Sequence, residues 1–319
     1  MAKSILIIGG SDEKFDSSRL RARLAPKFPT VEIRSVPEPS AVGAEANDVE
    51  GMFGYGHHFS EAMVGRAKRL KWIQSLTTGT DAILKLKSLR PEVIVTSTAG
   101  MHAPQMSEMA FLHMLALARD YPRMLDNQRA GRWERWPQRL LYQKTAVILG
   151  VGAIALGLAR RCKAFDMKVI GVTSTPRHLP DFDAMLPRGK LIEAAALADF
   201  LIVLVPLSPA TQNIIDARVL AAMKPSAYLI NLARGGVCDE EALLVALREK
   251  RISGAGLDVF KKDPLPPDSP LWKEPGILVT PRLGGISDIY QEQFVPYLER
   301  NLACYTEDRW ADMVNVVRR

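Results

Sequence analysis

The run Gly150-Val151-Gly152-Ala153-Ile154-Ala155 lies between an apolar stretch at 146–149 and a helix-patterned stretch at 154–164. In that context glycines serve phosphate recognition. Gly150 permits the tight turn and Gly152 lets the backbone approach a pyrophosphate. The opening turn of the helix, at Ala153 and Ile154, offers unpaired N–H groups and partial positive charge. Ala155 replaces a third glycine. A second candidate is Arg234, in Asn231-Leu232-Ala233-Arg234-Gly235-Gly236, where two glycines turn the chain sharply after a strand. Ligands collect at such strand ends. A guanidinium is a planar, permanently charged fork suited to a carboxylate, so it can hold an acid such as a 2-oxo acid and polarise the neighbouring carbonyl. Taken alone, an arginine in a turn is more often a surface cation.

About 20 residues beyond a dinucleotide loop, an acid at the end of the second strand selects the unphosphorylated ribose. This chain has Val172-Thr173-Ser174-Thr175-Pro176-Arg177 there, without a carboxylate. Ser174, Thr175 and Arg177 suit a 2′-phosphate, so NADP(H) is favoured as cofactor and NAD(H) remains possible. In the alternative reading Arg177 is a solvated loop cation and both cofactors are accepted.

These residues need a frame of strands and helices. Apolar runs at 5–8, 31–35, 52–54, 71–76 and 93–97 alternate with amphipathic stretches and predict a small parallel sheet with crossover helices. Residues 104–121 carry Met106, Met109, Ala110, His113, Leu117 and Tyr121 at helical spacing and predict one long helix closed by Pro122. A tryptophan-rich arm follows at 132–137, and it should pack on a second domain or another subunit. From Thr145 a second alternation of strands and helices predicts a doubly wound nucleotide-binding sheet.

A chain of 319 residues with 47% hydrophobic and 24% charged residues is long enough for two α/β domains. The first apolar run is too short for a signal peptide, and no run reaches the roughly 18 residues of a membrane helix. A cytoplasmic location and no membrane partner are expected. The net charge of +7 comes from cations interleaved with acids, so nucleic acid is not the expected partner; a small anionic substrate is. Cys162, Cys238 and Cys304 are too scattered for a metal or disulfide framework. They are expected to be reduced and structural, and no metal is expected.

Between residues 223 and 285 the order Asn231 to Gly236, Leu257-Asp258-Val259-Phe260, Asp263-Pro264-Leu265-Pro266 and Thr280-Pro281-Arg282 resembles the D-isomer-specific 2-hydroxyacid dehydrogenase family. The segments 70–81 and 100–108 match too, so the resemblance spans roughly 50–305. It implies a Rossmann-type domain at 100–286 and a smaller flavodoxin-like α/β substrate domain, discontinuous, at 1–99 and 287–319. It implies that Arg234 clamps the substrate while backbone amides around Thr78 and Gly79 bind its carboxylate. Asp258 would contact the nicotinamide amide, and Pro206, Thr211, Ala233 and Gly284 would line the cofactor. Similar proteins dimerise through the nucleotide domain and the arm after the long helix.

The family's general acid/base histidine corresponds to Arg282, and its supporting glutamate to Asp263. Arginine, with a pKa above about 12, is a poor proton donor, although it can stabilise developing charge on oxygen. Loss of general acid/base help costs on the order of 10²- to 10⁴-fold in rate. A longer base facing a shorter acid preserves an ion pair across a similar gap. His57, His58 and His102 are the remaining candidate proton sources, each with a surface or packing role as its alternative. The activity implied is interconversion of a small 2-oxo acid and a 2-hydroxy acid by hydride transfer. The alternative is a cofactor-binding sensor or regulator with little turnover, or another reaction on an acid substrate.

Overall fold

The structure, a computed structural model, describes residues 3–10 and 15–318. The chain begins with β1 (Lys3–Ile8), α1 (Ser17–Leu24), β2 (Val31–Val36), β3 (Gly51–Gly54), α2 (Glu61–Arg66), β4 (Trp72–Ser75), α3 (Asp81–Leu84) and β5 (Ile94–Thr96). It continues through α4 (Ala103–Ala118), α5 (Tyr121–Arg129), β6 (Thr145–Leu149), α6 (Ala153–Ala164), β7 (Lys168–Thr173), β8 (Ala184–Pro187) and α7 (Leu191–Leu197). Then come β9 (Phe200–Val203), α8 (Ala217–Ala222), β10 (Tyr228–Asn231), α9 (Glu240–Arg248), β11 (Gly254–Leu257), β12 (Ile277–Val279), α10 (Tyr290–Thr306) and β13 (Val316–Arg318).

Two compact units divide these elements, Met1–Met101 with Ser287–Arg319, and His102–Ile286. In the first, the sheet order is β13-β5-β4-β3-β1-β2, with only β13 antiparallel. The five parallel strands follow the flavodoxin-like order. Successive residues of β1 face opposite sides: Ile5 and Ile7 join α10 residues such as Phe294 and Leu298, while Leu6 and Ile8 join Met63 and Val64 of α2.

In the second unit seven parallel strands are ordered β12-β11-β10-β9-β6-β7-β8. The order turns back at β6, which makes the crevice beside it a topological switch point. Val147 and Leu149 pack on one face with Val219 and Leu243, whereas Ala146 and Ile148 pack on the other with Leu158 and Met114. Both faces are covered, as a parallel sheet requires.

One expectation is corrected. The long helix ends at Ala118, and after a left-handed Asp120 a new helix, α5, begins at Tyr121. Pro122 therefore opens a helix instead of closing one, at a position where its missing N–H costs nothing. The tryptophan arm is held to α5, where Glu134 pairs with Arg123 at 2.7 Å and Trp136 lies against the Arg123 guanidinium at 4.2 Å, while Trp133 is 94% exposed. The sequence pattern does not predict β8, α7 and β13; β8 and β13 are short strands, of four and three residues, at sheet edges.

Candidate functional site

Phosphate recognition needs backbone that a ligand can reach. Gly150 follows β6 at φ +100°, and a Cβ there would meet Val205 N at 2.7 Å and the Leu204 carbonyl carbon at 2.8 Å. Only glycine fits. At Gly152, by contrast, a Cβ would meet nothing within 4 Å. Gly152 also begins α6 without a side-chain cap, whereas Asp216 and Asp239 cap the amides that open α8 and α9. The exposed Gly152 and Ala153 and the half-buried Ile154 thus surround open backbone at a helix N-terminus, which fits a dinucleotide pyrophosphate. Ser174, Thr175 and Arg177, beyond the neighbouring strand β7, are all exposed.

Across the switch point, β9 is followed by a loop closed on itself. The Thr211 hydroxyl donates to the Pro206 carbonyl at 2.6 Å and accepts from the Ser208 amide at 2.8 Å. Thr211 is buried, and Pro206 exposed. Next, Asn231 shapes the turn that carries Arg234. Its side chain accepts from the Ala233 amide at 3.1 Å and donates to the Arg234 carbonyl at 3.2 Å. Gly235 presses on the Phe260 backbone so closely that no Cβ fits. Ala233 is buried, while Arg234 is exposed and its Nη1 donates to the Ala233 carbonyl at 2.8 Å.

The buried Asp258 organises the next loop. Its Oδ1 accepts from the Thr280 hydroxyl at 2.6 Å and the Leu283 amide at 2.9 Å, and its Oδ2 accepts from the Gly284 amide at 2.9 Å. Gly284 is buried, and a Cβ there would lie 2.9 Å from the same carboxylate. Arg282 sits between these anchors at φ +55°, and its Nη1 donates to Asp263 Oδ2. That ion pair is partly exposed, at 57% and 36% of the two side chains.

The histidines divide by surroundings. His102, 8% exposed, is pushed down to about 4 by burial and by the Arg234 guanidinium. It is neutral near pH 7. His58 is buried, with Nδ1 3.1 Å from the Ile8 carbonyl, while His57 is exposed and stacked on Tyr55. His113 had been read only as part of an apolar stripe. Its Nε2 lies 3.2 Å from Thr280 Oγ1, and burial holds its pKa below the ordinary histidine value. The signal for it was a histidine at a buried helical position.

In the first unit Thr78 and Gly79 follow β4; the Ser75 hydroxyl donates to the Gly79 carbonyl at 3.1 Å. Cys162, Cys238 and Cys304 are free and buried. Among the described residues no helix is long and apolar enough to cross a membrane.

A family model described as D-isomer specific 2-hydroxyacid dehydrogenase, NAD binding domain, matches residues 111–284. The chain is 34% identical over 276 residues to glyoxylate/hydroxypyruvate reductase B of Pectobacterium carotovorum, covering 83% of this chain and 84% of that one. Its fold is similar to that of a D-isomer-specific 2-hydroxyacid dehydrogenase family protein from Aeromonas salmonicida, with TM-score 0.89, 28% identity and 99% of each chain covered. A D-isomer-specific 2-hydroxyacid dehydrogenase from Xanthobacter autotrophicus, solved with NADPH and MES, gives TM-score 0.86 at 27% identity, over 99% of this chain and 98% of that one.

Proposed function

The chain belongs to the D-isomer-specific 2-hydroxyacid dehydrogenase family, and from that premise we propose that it is an NADPH-preferring reductase of a small 2-oxo acid. The observation that carries this reading is the cradle at Gly150 and Gly152, open backbone at the uncapped start of α6 inside a domain of the NAD-binding type. The absence of a carboxylate at 173–178, with Arg177 exposed, supports the phosphorylated cofactor.

Bound NADPH would supply the hydride. In this reading Arg234 holds the substrate carboxylate and draws charge from the adjacent carbonyl; in the other unit, Thr78 and Gly79 are assigned backbone contacts to a carboxylate. Asp258 holds the 280–284 loop, with its carboxylate accepting from three donors. Arg282 stabilises charge that develops on oxygen, and water delivers the proton, because the guanidinium keeps its own. Trp133 is assigned to a contact with a second copy of the chain.

One observation favours a second reading, a cofactor-binding regulator with little turnover: Arg282, to which we assign the family's acid/base position, is held in an ion pair with Asp263. Assay of glyoxylate, hydroxypyruvate and larger 2-oxo acids with NADPH decides between them. Oxidation of NADPH by at least one acid supports the reductase; tight NADPH binding with no oxidation by any supports the regulator.

A further inference from the structure

We propose that Arg188 is a second cationic contact for the ribose 2′-phosphate of NADP(H), and so a determinant of cofactor choice beside Arg177. The inference rests on the cofactor reading above. A dinucleotide places its adenosine ribose at the carboxyl end of the second strand of such a sheet, here β7. Its outer neighbour is β8, which runs parallel to it with Thr173 paired to Pro187. Arg188, one residue past Pro187, opens a short turn at the same edge of the sheet from which Ser174 follows Thr173.

The neighbour of Arg188 in the same turn, Lys190, pairs with Glu193 at 3.3 Å. Among the described residues Arg188 has no hydrogen bond or ion pair, and its Nε is buried with no partner there. Among the described residues no hydrogen bond or salt bridge reaches Arg177 either. Two guanidiniums thus follow the ends of two adjacent strands, and the hydroxyls of Ser174 and Thr175 lie between the end of β7 and Arg177 in sequence. A dianionic phosphate accepts from planar N–H forks and from hydroxyls. A ribose bearing only a hydroxyl at that carbon gives the second arginine nothing to pair with.

Fluorescence titration of the intact protein with NADPH and NADH, and competition by adenosine 2′,5′-bisphosphate against adenosine 5′-phosphate, test this without turnover. Arg188→Ala and Arg188→Gln should each weaken NADPH and the bisphosphate about tenfold, as loss of a charge-assisted contact does, and leave NADH within twofold. Using both variants, with circular dichroism and melting for each, separates loss of the contact from loss of fold. Arg188→Lys should recover part of the affinity through charge alone. If the unaltered protein prefers NADPH and both variants keep that preference in full, the role of Arg188 is overturned while the cofactor reading stands on Arg177. If the unaltered protein binds NADPH and NADH equally, both the cofactor reading and this inference fall.

Discussion

The Thr280 hydroxyl donates to Asp258 Oδ1 at 2.6 Å, which ties the residue after β12 to the residue after β11. With its proton committed to a carboxylate, the hydroxyl can only accept from His113 Nε2, 3.2 Å away. His113 then carries a proton on Nε2, and burial favours its neutral form. Gly256 makes room for the ring, because a Cβ at 256 would overlap it. The relay runs from α4 through two strand ends to the loop that carries Arg282.

Thr280→Val keeps the shape and removes the link. Asp258 retains two backbone donors, but His113 Nε2–H loses its acceptor in a buried setting. The expected cost is about 1–3 kcal/mol, read as a lower urea midpoint at unchanged slope. Exchange of the Leu283 and Gly284 amides should also accelerate. An unchanged midpoint and unchanged exchange would show that the relay contributes nothing.

His102 makes the fold sensitive to mild acid. Its folded pKa of about 4 lies below the unfolded value of about 6.5, so the unfolded chain binds a proton that the folded one refuses. Stability from this group is intact above about pH 6.5, falls as pH drops toward 4 and is then constant, a total of about 3 kcal/mol. Asp16, Glu50, Asp183 and Asp216, whose pKa values are lowered in the fold, add losses at lower pH. Comparing unfolding midpoints at pH 7 and pH 5 for the protein and His102→Asn isolates the histidine: the variant should lose less. Parallel losses in both proteins would contradict the assignment.

Both sheets were legible because their strands are apolar runs flanked by turns, and Gly150 was legible because strand and helix patterns enclose it. The tail was different. Val316 to Arg318 carries one charge in three residues and pairs antiparallel at the edge, so no hydrophobic pattern marks it. Periodicity also joined α4 to α5, since Tyr121 falls in phase with Leu117, and phase cannot detect the left-handed Asp120 between them. At the candidate site, residue types pointed to Arg234 and Arg282. The His113–Thr280–Asp258 relay depends on contacts spanning 167 residues of chain, which no local pattern encodes.

Trp133 is the most exposed large apolar side chain among the described residues, and Leu140 and Tyr142 near it are 49% and 54% exposed. An extended arm with such a surface is expected to close on a second copy of the chain through a two-fold interface. Light scattering at micromolar concentration should give twice the chain mass, and Trp133→Ser should lower it. A monomeric mass for the unaltered protein rules the interface out.

The last expectation concerns the proton. Arg282 cannot cycle one, and His102 titrates at about 4, so turnover should be slow and its rate flat between pH 6 and 8. Arg282→His with Asp263→Glu should raise the rate on a simple 2-oxo acid and introduce a titration between about pH 6 and 8. The fold should tolerate the pair, because histidine is among the residues enriched at positive φ and the exposed ion pair it replaces is worth little, typically under about 1 kcal/mol. Arg282→His alone should gain less, since the shorter aspartate orients the ring poorly. If the unaltered protein already turns over at about 10 per second or more with a neutral pKa in its profile, water is not the donor. The exposed His57 then becomes the leading acid, and His57→Gln should abolish that pKa.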